Sequence, residues 1–227
     1  MTEQDTDAMT PLTPPEPLNR DRVLQAALDL ADAAGLEALS MRRLAQTLGV
    51  QAMSLYHHVA NKEDILDAIA DRVVSEIELP SPSEDWQQAM RRRAHSAHAV
   101  LLRHPWAVLA LLSRVNVGPA MLRYVEATLS CLYAAGFPLI LADHAWNALD
   151  SHIYGFTLQE LNFPLEAADY AKAAADYELL IPAAQYPTLN QLTQLVIAGD
   201  YDGLHDFEFG LNLLLDSLEA CRQTPER

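Results

Sequence analysis

Two short helix-forming segments meet at Gly49, and that junction constrains the fold more than any other feature of the chain. The stretch reads LSMRRLAQTLGVQAMSLYHHVANKEDIL, residues 39–66. Ser40 is placed to cap a helix through Leu48 that turns Leu44, Ala45 and Leu48 inward and Arg42 and Arg43 outward. Gly49 supplies the positive-φ turn, and a second short helix over residues 51–57 follows at once. Asn61 caps the next helix, with Glu63 and Asp64 in a first turn that favours anions; this helix is expected to reach residue 79. Upstream, Val23, Leu24, Ala27, Leu28 and Ala31 mark one face of a helix over residues 20–34, stopped by Gly35. Two short helices joined by a tight Gly turn make a helix-turn-helix, a motif that DNA readers share with plain helical bundles.

Net charge argues against nucleic acid until its distribution is followed along the chain. The total is −16 over 227 residues. Residues 20–62 nevertheless hold five bases against four acids, and residues 86–123 hold six bases and no acid. Residues 124–227 hold fifteen acids and three bases. A strongly acidic rear repels DNA and leaves only the front end able to approach it. Half of the residues are apolar and only 8 are Gly, which favours an all-α protein with a substantial core. Cys131 and Cys221 lie in apolar helical segments without zinc or redox spacing and read as reduced core thiols. The opening MTEQDTDAMTPLTPPEP is acidic and Pro-rich, unlike a signal peptide, and the apolar run over residues 105–113 is too short to span a bilayer. A soluble cytoplasmic protein with no membrane partner is expected.

Beyond LPSPSEDW, which reads as a hinge, long helices alternate with short breaks. They are expected over residues 83–103, from Pro105, from Gly118-Pro119 to Gly136, over 139–161 and over 203–222. Residues 166–187, with a near-repeat of Ala-Asp-Tyr, read as locally helical at best, a mobile excursion between packed helices. In the last helix Leu204, Phe207, Leu211, Leu214 and Leu218 recur at spacings of three and four, a seam of coiled-coil type. The helix over 139–161 is apolar on more than one side, with Leu149 and Ile153 among its inward residues. Such helices suit a two-fold four-helix interface, so a homodimer through Leu149, Ile153, Phe207, Leu211, Leu214 and Leu218 is expected.

The segment from Arg42 to Leu66 resembles the tetracycline-repressor (TetR) family of bacterial transcription regulators. The matching positions are Arg42, Leu44, Ala45, Leu48, Gly49, Val50, Leu55, Tyr56, His58, Val59, Asn61, Lys62 and Leu66. The rear is similar, more loosely, to the tetracycline-repressor type of C-terminal domain at HPWAVLALL, GPAMLRYVEATLSCLYAAGF and DFEFGLNLLLDSLEA. The resemblance implies an N-terminal three-helix DNA-binding domain over residues 19–65, a helical effector-binding and dimerisation domain over 66–224, and a disordered arm over 1–18. It implies a repressor that binds double-stranded, palindromic operator DNA and is released by a small-molecule effector.

DNA contact is carried onto Arg42, Tyr56, His58 and Lys62 by that match, while Gln51, Ala52, Met53, Tyr56 and His57 lie by position on the exposed face of the reading helix. Arg42 can reach a guanine edge or a phosphate with its planar fork. Tyr56 is either a phosphate donor or a packing residue, and His57 either reads a base or makes no contact. Adjacent helical residues point about 100° apart, so His57 and His58 are poorly placed to ligate one ion. Ala52 and Met53 depart from the founding member and favour thymine methyls over polar base edges.

In the ligand domain, Leu111, Arg93 and Ala97 stand where the founding subgroup grips magnesium-tetracycline, which argues for another effector. Trp106, Leu111, Trp146, His152, Tyr154, Phe156 and Gln159 are the candidate lining residues, each equally explained as core. Arg91, Arg92 and Arg93 either bind an anionic ligand or partner the acidic surface of the rear domain, and His95 and His98, three apart, lack a clear third metal ligand. No nucleophile motif, phosphate loop or carboxylate–histidine spacing supports an enzyme, and no cofactor or metal is expected. A helical interaction module that has lost DNA binding is opposed by the intact Arg42, Tyr56, His58 and Lys62 set.

Overall fold

The computed structural model describes residues 17–166, 169–203 and 206–223, which form eleven α-helices and no strand. The expected disordered arm falls almost wholly outside the described residues, as does Leu204 of the expected seam. The chain divides into two compact units, residues 1–69 and 70–227.

The first unit begins with α1 (Arg20–Ala34), whose first turn is capped by the Asn19 side chain accepting from the Arg22 amide at 2.8 Å. Its apolar stripe, Val23, Leu24, Ala27, Leu28 and Ala31, is buried. Helix α2 (Met41–Leu48) starts at Ser40, which accepts from the Arg43 amide at 3.2 Å, and ends at Gly49 with φ 68°. A side chain at that φ is strained, so this turn selects glycine. Helix α3 (Ala52–Leu55) is a single turn. The expected helix to residue 57 tightens instead: the Tyr56, His57 and His58 amides bond three residues back, at 3.3, 3.4 and 2.9 Å. Leu44, Leu55, Val59, Ile65 and Ile69 form the small core of this unit.

Helix α4 (Lys62–Ser75) carries the chain across the division between the units. It stops short of residue 79. Ser75 bonds back to the Arg72 carbonyl at 2.6 Å, and the Glu76 and Ile77 amides reach only three residues back. Helix α5 (Trp86–Arg103) is capped by Asp85 and begins later than the expected residue 83, because Ser81, Ser83 and Glu84 are held in a turn of their own. The remaining helices are α6 (Pro105–Leu112), α7 (Pro119–Ala134), α8 (Leu139–Asn162), α9 (Tyr170–Tyr177), α10 (Pro187–Ala198) and α11 (Phe207–Gln223). Prolines at the first turns of α6, α7 and α10 lack the amide that a helix start would leave unbonded anyway.

Helix α8 is central to the second unit, packed by α5, α6, α7 and α11. That position explains its apolar character on several sides. It also decides where the residues of the expected dimer seam lie within the single chain. Leu149, Ile153 and Leu211 are enclosed within the single chain, Phe207 and Leu218 nearly so, and only Leu214 is half-buried. The large apolar surface that α11 leaves open is Phe209, 65% exposed, and Leu213, 55% exposed. Helix α10 had no counterpart in the sequence reading, and it packs with α9 into a hairpin whose leucines are largely exposed.

Candidate nucleic-acid interface and effector cavity

In the first unit the reading segment is held from below by Leu55 and Val59, both buried, which leaves the alternate positions outward. Gln51, Met53, Tyr56 and His57 are exposed, and Ala52 and His58 are half-buried. Arg42 is exposed on α2, which packs against α3. Lys62, half-buried, opens α4 beside the Asn61 cap, where Asn61 Oδ1 accepts from the Asp64 amide at 2.8 Å. Asp64 accepts in return from the Ala60 amide at 2.9 Å, a reciprocal lock on the helix start. Arg20 completes it, donating to Asp64 Oδ1 at 2.7 Å and to the His58 carbonyl at 2.9 Å. The Arg20 guanidinium, and after it the Ala60 amide, holds the Asp64 carboxyl down at about 2. This clamp was not anticipated, although Arg20 and Asp64 both sit at predicted helix starts. Its effect is to fix the end of the reading segment with main-chain and charge-assisted bonds, leaving the Tyr56 and His57 side chains to face outward.

Six of the seven candidate lining residues divide between two cavities of the second unit. Leu111, Trp146 and Tyr154 line a cavity of about 310 Å3 with Leu112, Asn116, Met121, Val125, Asn147, Asp150 and Ser151. His152, Phe156 and Gln159 line a wider cleft of about 1510 Å3, together with His95, His98 and the first residues of α11. Trp106 is buried and lines neither.

Behind the smaller cavity lies a buried ion pair that sequence reasoning missed. Arg93 has no exposed surface, and its Nη2 donates to Asp150 Oδ1 and, at 2.7 Å, to the Tyr124 hydroxyl. Tyr124 donates to the same Asp150 oxygen at 2.9 Å. Trp146 Nε1 donates to Asp150 Oδ2 at 2.7 Å and the Tyr154 hydroxyl does so at 3.4 Å. Arg93 Nη1 finds only the Met90 sulfur, and Arg93 Nε is the one buried side-chain polar atom without a partner among the described residues. Burial works against charge on Arg93, but the facing Tyr124 and Asp150 outweigh it, and the guanidinium lies above its ordinary value. Burial lifts the Tyr124 and Tyr154 hydroxyls, which therefore stay protonated donors. The signal was legible: Asp150 is an acid near the middle of a long helix, beside the apolar Leu149 and Ile153 and with Trp146 and Tyr154 one turn to either side.

The basic cluster of α5 separates by depth. Arg91 pairs with Glu208 at 2.7 Å, Arg92 with Glu78 at 3.2 Å and with Glu84, and Arg93 turns inward. His95 meets Glu208, whereas His98 bonds Thr157 at 2.9 Å and Glu160 at 3.1 Å. Burial lowers His98 despite Glu160. The Phe207 ring is stacked between the His98 and His152 imidazoles, with centroids at 4.6 and 4.9 Å. Each imidazole thus has its own partner, and no group of three His, Cys, Asp or Glu among the described residues is arranged to hold a metal ion.

A helix-turn-helix with an outward reading segment, joined through α4 to a helical unit that holds a cavity of mixed apolar and polar lining, defines the class of two-domain helix-turn-helix regulators. Comparison with known proteins narrows it. The family model described as "Bacterial regulatory proteins, tetR family" matches residues 23–69, and "Tetracyclin repressor-like, C-terminal domain" matches residues 79–222. The chain belongs to the TetR family. Among curated relatives, the HTH-type transcriptional repressor DrrR1 of Streptomyces coeruleorubidus is 33% identical over 217 residues, covering 91% of this chain and 79% of its own. The class D tetracycline repressor of Escherichia coli is 32% identical over 210 residues, covering 89% and 90%. Among solved structures, ActR of Streptomyces coelicolor in complex with actinorhodin superposes with a TM-score of 0.78 at 32% identity, covering 92% of this chain and 100% of that one.

Proposed function

We infer that this protein is a ligand-responsive transcription repressor that binds a palindromic operator as a homodimer and is released by a small-molecule effector. The observation that carries the reading is the outward reading segment, Gln51 to His57, flanked by Arg42 and Lys62 in a chain whose relatives include repressors. Arg42 and the outward Gln51, Ala52, Met53 and His57 face base edges, while Tyr56, His58 and Lys62 hold phosphates. The cavity of about 310 Å3 is the effector site. Magnesium-tetracycline is a poor fit, because no imidazole lines that cavity and Leu111 presents an apolar wall. The ActR–actinorhodin complex supports a small organic effector in a domain of this shape. The reading involves no enzymatic step, and it places the protein in the cytoplasm beside its DNA.

The test is fluorescence anisotropy with a duplex from the region upstream of the gene. Affinity should fall steeply as salt rises, because phosphate contacts release counterions. Tyr56→Ala should weaken binding by tenfold or more, on the order of 1.4 kcal/mol, with the fold intact. Salt-independent binding overturns the assignment of DNA contact, and unchanged affinity of the variant makes Tyr56 a packing residue.

A further inference from the structure

We propose that the smaller cavity takes an uncharged aromatic compound carrying both hydrogen-bond donors and acceptors, and rejects organic anions and cations of the same shape. The proposal deepens the effector reading above and rests on it. Asp150 is the one carboxylate among the residues lining the cavity, which include no Lys, Arg or His, and its counter-cation Arg93 is wholly buried. An anion entering here meets a carboxylate and no accessible base. It must shed its water to enter, and with Arg93 buried and already paired to Asp150 it gains no cation in exchange. A cation fares little better. Asp150 Oδ1 already accepts from Arg93 and Tyr124, and Oδ2 from Trp146 and Tyr154, so each oxygen carries two donors. The cation must shed its water and displace one of them to gain a pairing that Arg93 already provides. An uncharged ligand incurs neither cost.

The rest of the lining fits that ligand. Leu111, Met121 and Val125 give apolar walls, and the Trp146 and Tyr154 rings offer flat faces. Of the four donors on Asp150, the Tyr154 hydroxyl is the most loosely held, at 3.4 Å, and it can turn toward a ligand carbonyl. The Asn116 amide nitrogen is engaged by the Leu111 and Arg114 carbonyls at 3.1 and 3.2 Å, and that of Asn147 by the Asp143 carbonyl at 2.8 Å. Their amide oxygens are therefore the ends that accept from a ligand hydroxyl.

Calorimetric titration of the full-length protein at pH 7 with three naphthalenes tests this: 2-naphthol, naphthalene-2-sulfonate and 2-naphthylmethylammonium. The naphthol should bind, with both ions weaker by about tenfold or more. Equal or tighter binding of either ion overturns the proposal, as does failure of the naphthol to bind. Leu112→Lys, an exposed position at the cavity, locates the probes. The new cation should shift the sulfonate-to-naphthol preference by about tenfold toward the sulfonate. An unmoved ratio puts the probes elsewhere and overturns the assignment. Operator binding by the same preparation without any probe separates the two readings. If it is intact while the naphthol fails, only the ligand class falls; if salt-dependent operator binding is absent, the regulator reading falls with it.

Discussion

At the scale of single residues, the clearest energetic statement concerns Arg93 and Asp150. A buried pair contributes little against a well-packed apolar alternative, yet removing one member strands the other charge. Asp150→Ala should therefore lower unfolding free energy by about 3–5 kcal/mol in urea titrations. The double variant Arg93→Met, Asp150→Leu should recover most of that loss; a double variant as unstable as the single one makes the pair a net stabiliser. The surface pair Arg20–Asp64 behaves differently. Its bonds hold Asp64 at about 2, below the ordinary 3.8, so what it contributes is present above pH 3.8 and fades as pH falls toward 2. Asp64→Asn should cost no more than about 1 kcal/mol at neutral pH, and the gap from wild type should close in thermal melts near pH 2. The outward exposure of Gln51, Met53, Tyr56 and His57 was legible because two buried anchors, Leu55 in the short helix and Val59 just beyond it, dictate which neighbours face out. It missed Arg93 because three successive arginines look alike in sequence, and only the packing of α5 against α8 decides which one points inward.

Elements were legible wherever a local cap sets the boundary. Ser40, Gly49 and Asn61 cap or turn where the sequence reading placed them. Boundaries set by distant groups were not, and α7 shows why. Its N-cap is Gly118, which has no side chain to offer the first amides. Asp71, on α4, substitutes from outside: its carboxylate accepts from the Ala120 amide at 3.0 Å and from the Met121 amide at 2.9 Å. Gly118 is required by this arrangement, since a Cβ there would lie 2.2 Å from Asp71 Oδ1. Met121 belongs both to this cap and to the lining of the smaller cavity, so the cap fixes one wall of the candidate effector site. Asp71→Ala should cost about 1 kcal/mol, within a range of about 0.5–2, as for other lost helix caps. Hydrogen exchange at the Ala120 and Met121 amides should speed up more than exchange elsewhere in α7. Uniform acceleration along the helix points to general destabilisation instead of a lost cap.

For the whole molecule, the distinction that matters is between apolar surface used inside the chain and apolar surface left over. Heptad spacing identified Leu211 and Leu218 as a seam, but spacing alone does not say which partner a seam faces. In the single chain that partner is the chain's own core, with α11 laid against α8. A homodimer built through these two helices would use what α11 leaves outside, Phe209 and Leu213, with Leu139 and Ile140 at the start of α8 as the other large exposed apolar side chains of that pair of helices. The two positions separate cleanly in experiment. Leu211→Ala opens a cavity in an enclosed site and should lower stability by about 2–5 kcal/mol while the association state, read at a temperature where the variant is folded, is unchanged. Leu213→Glu places a charge on an exposed face, so it should leave the monomer folded and shift light-scattering mass from dimer toward monomer at micromolar concentration. Operator affinity should fall with it, because a palindrome is read by two heads and a monomer forfeits the second half-site. A Leu213→Glu protein that stays dimeric moves the interface away from this face of α11.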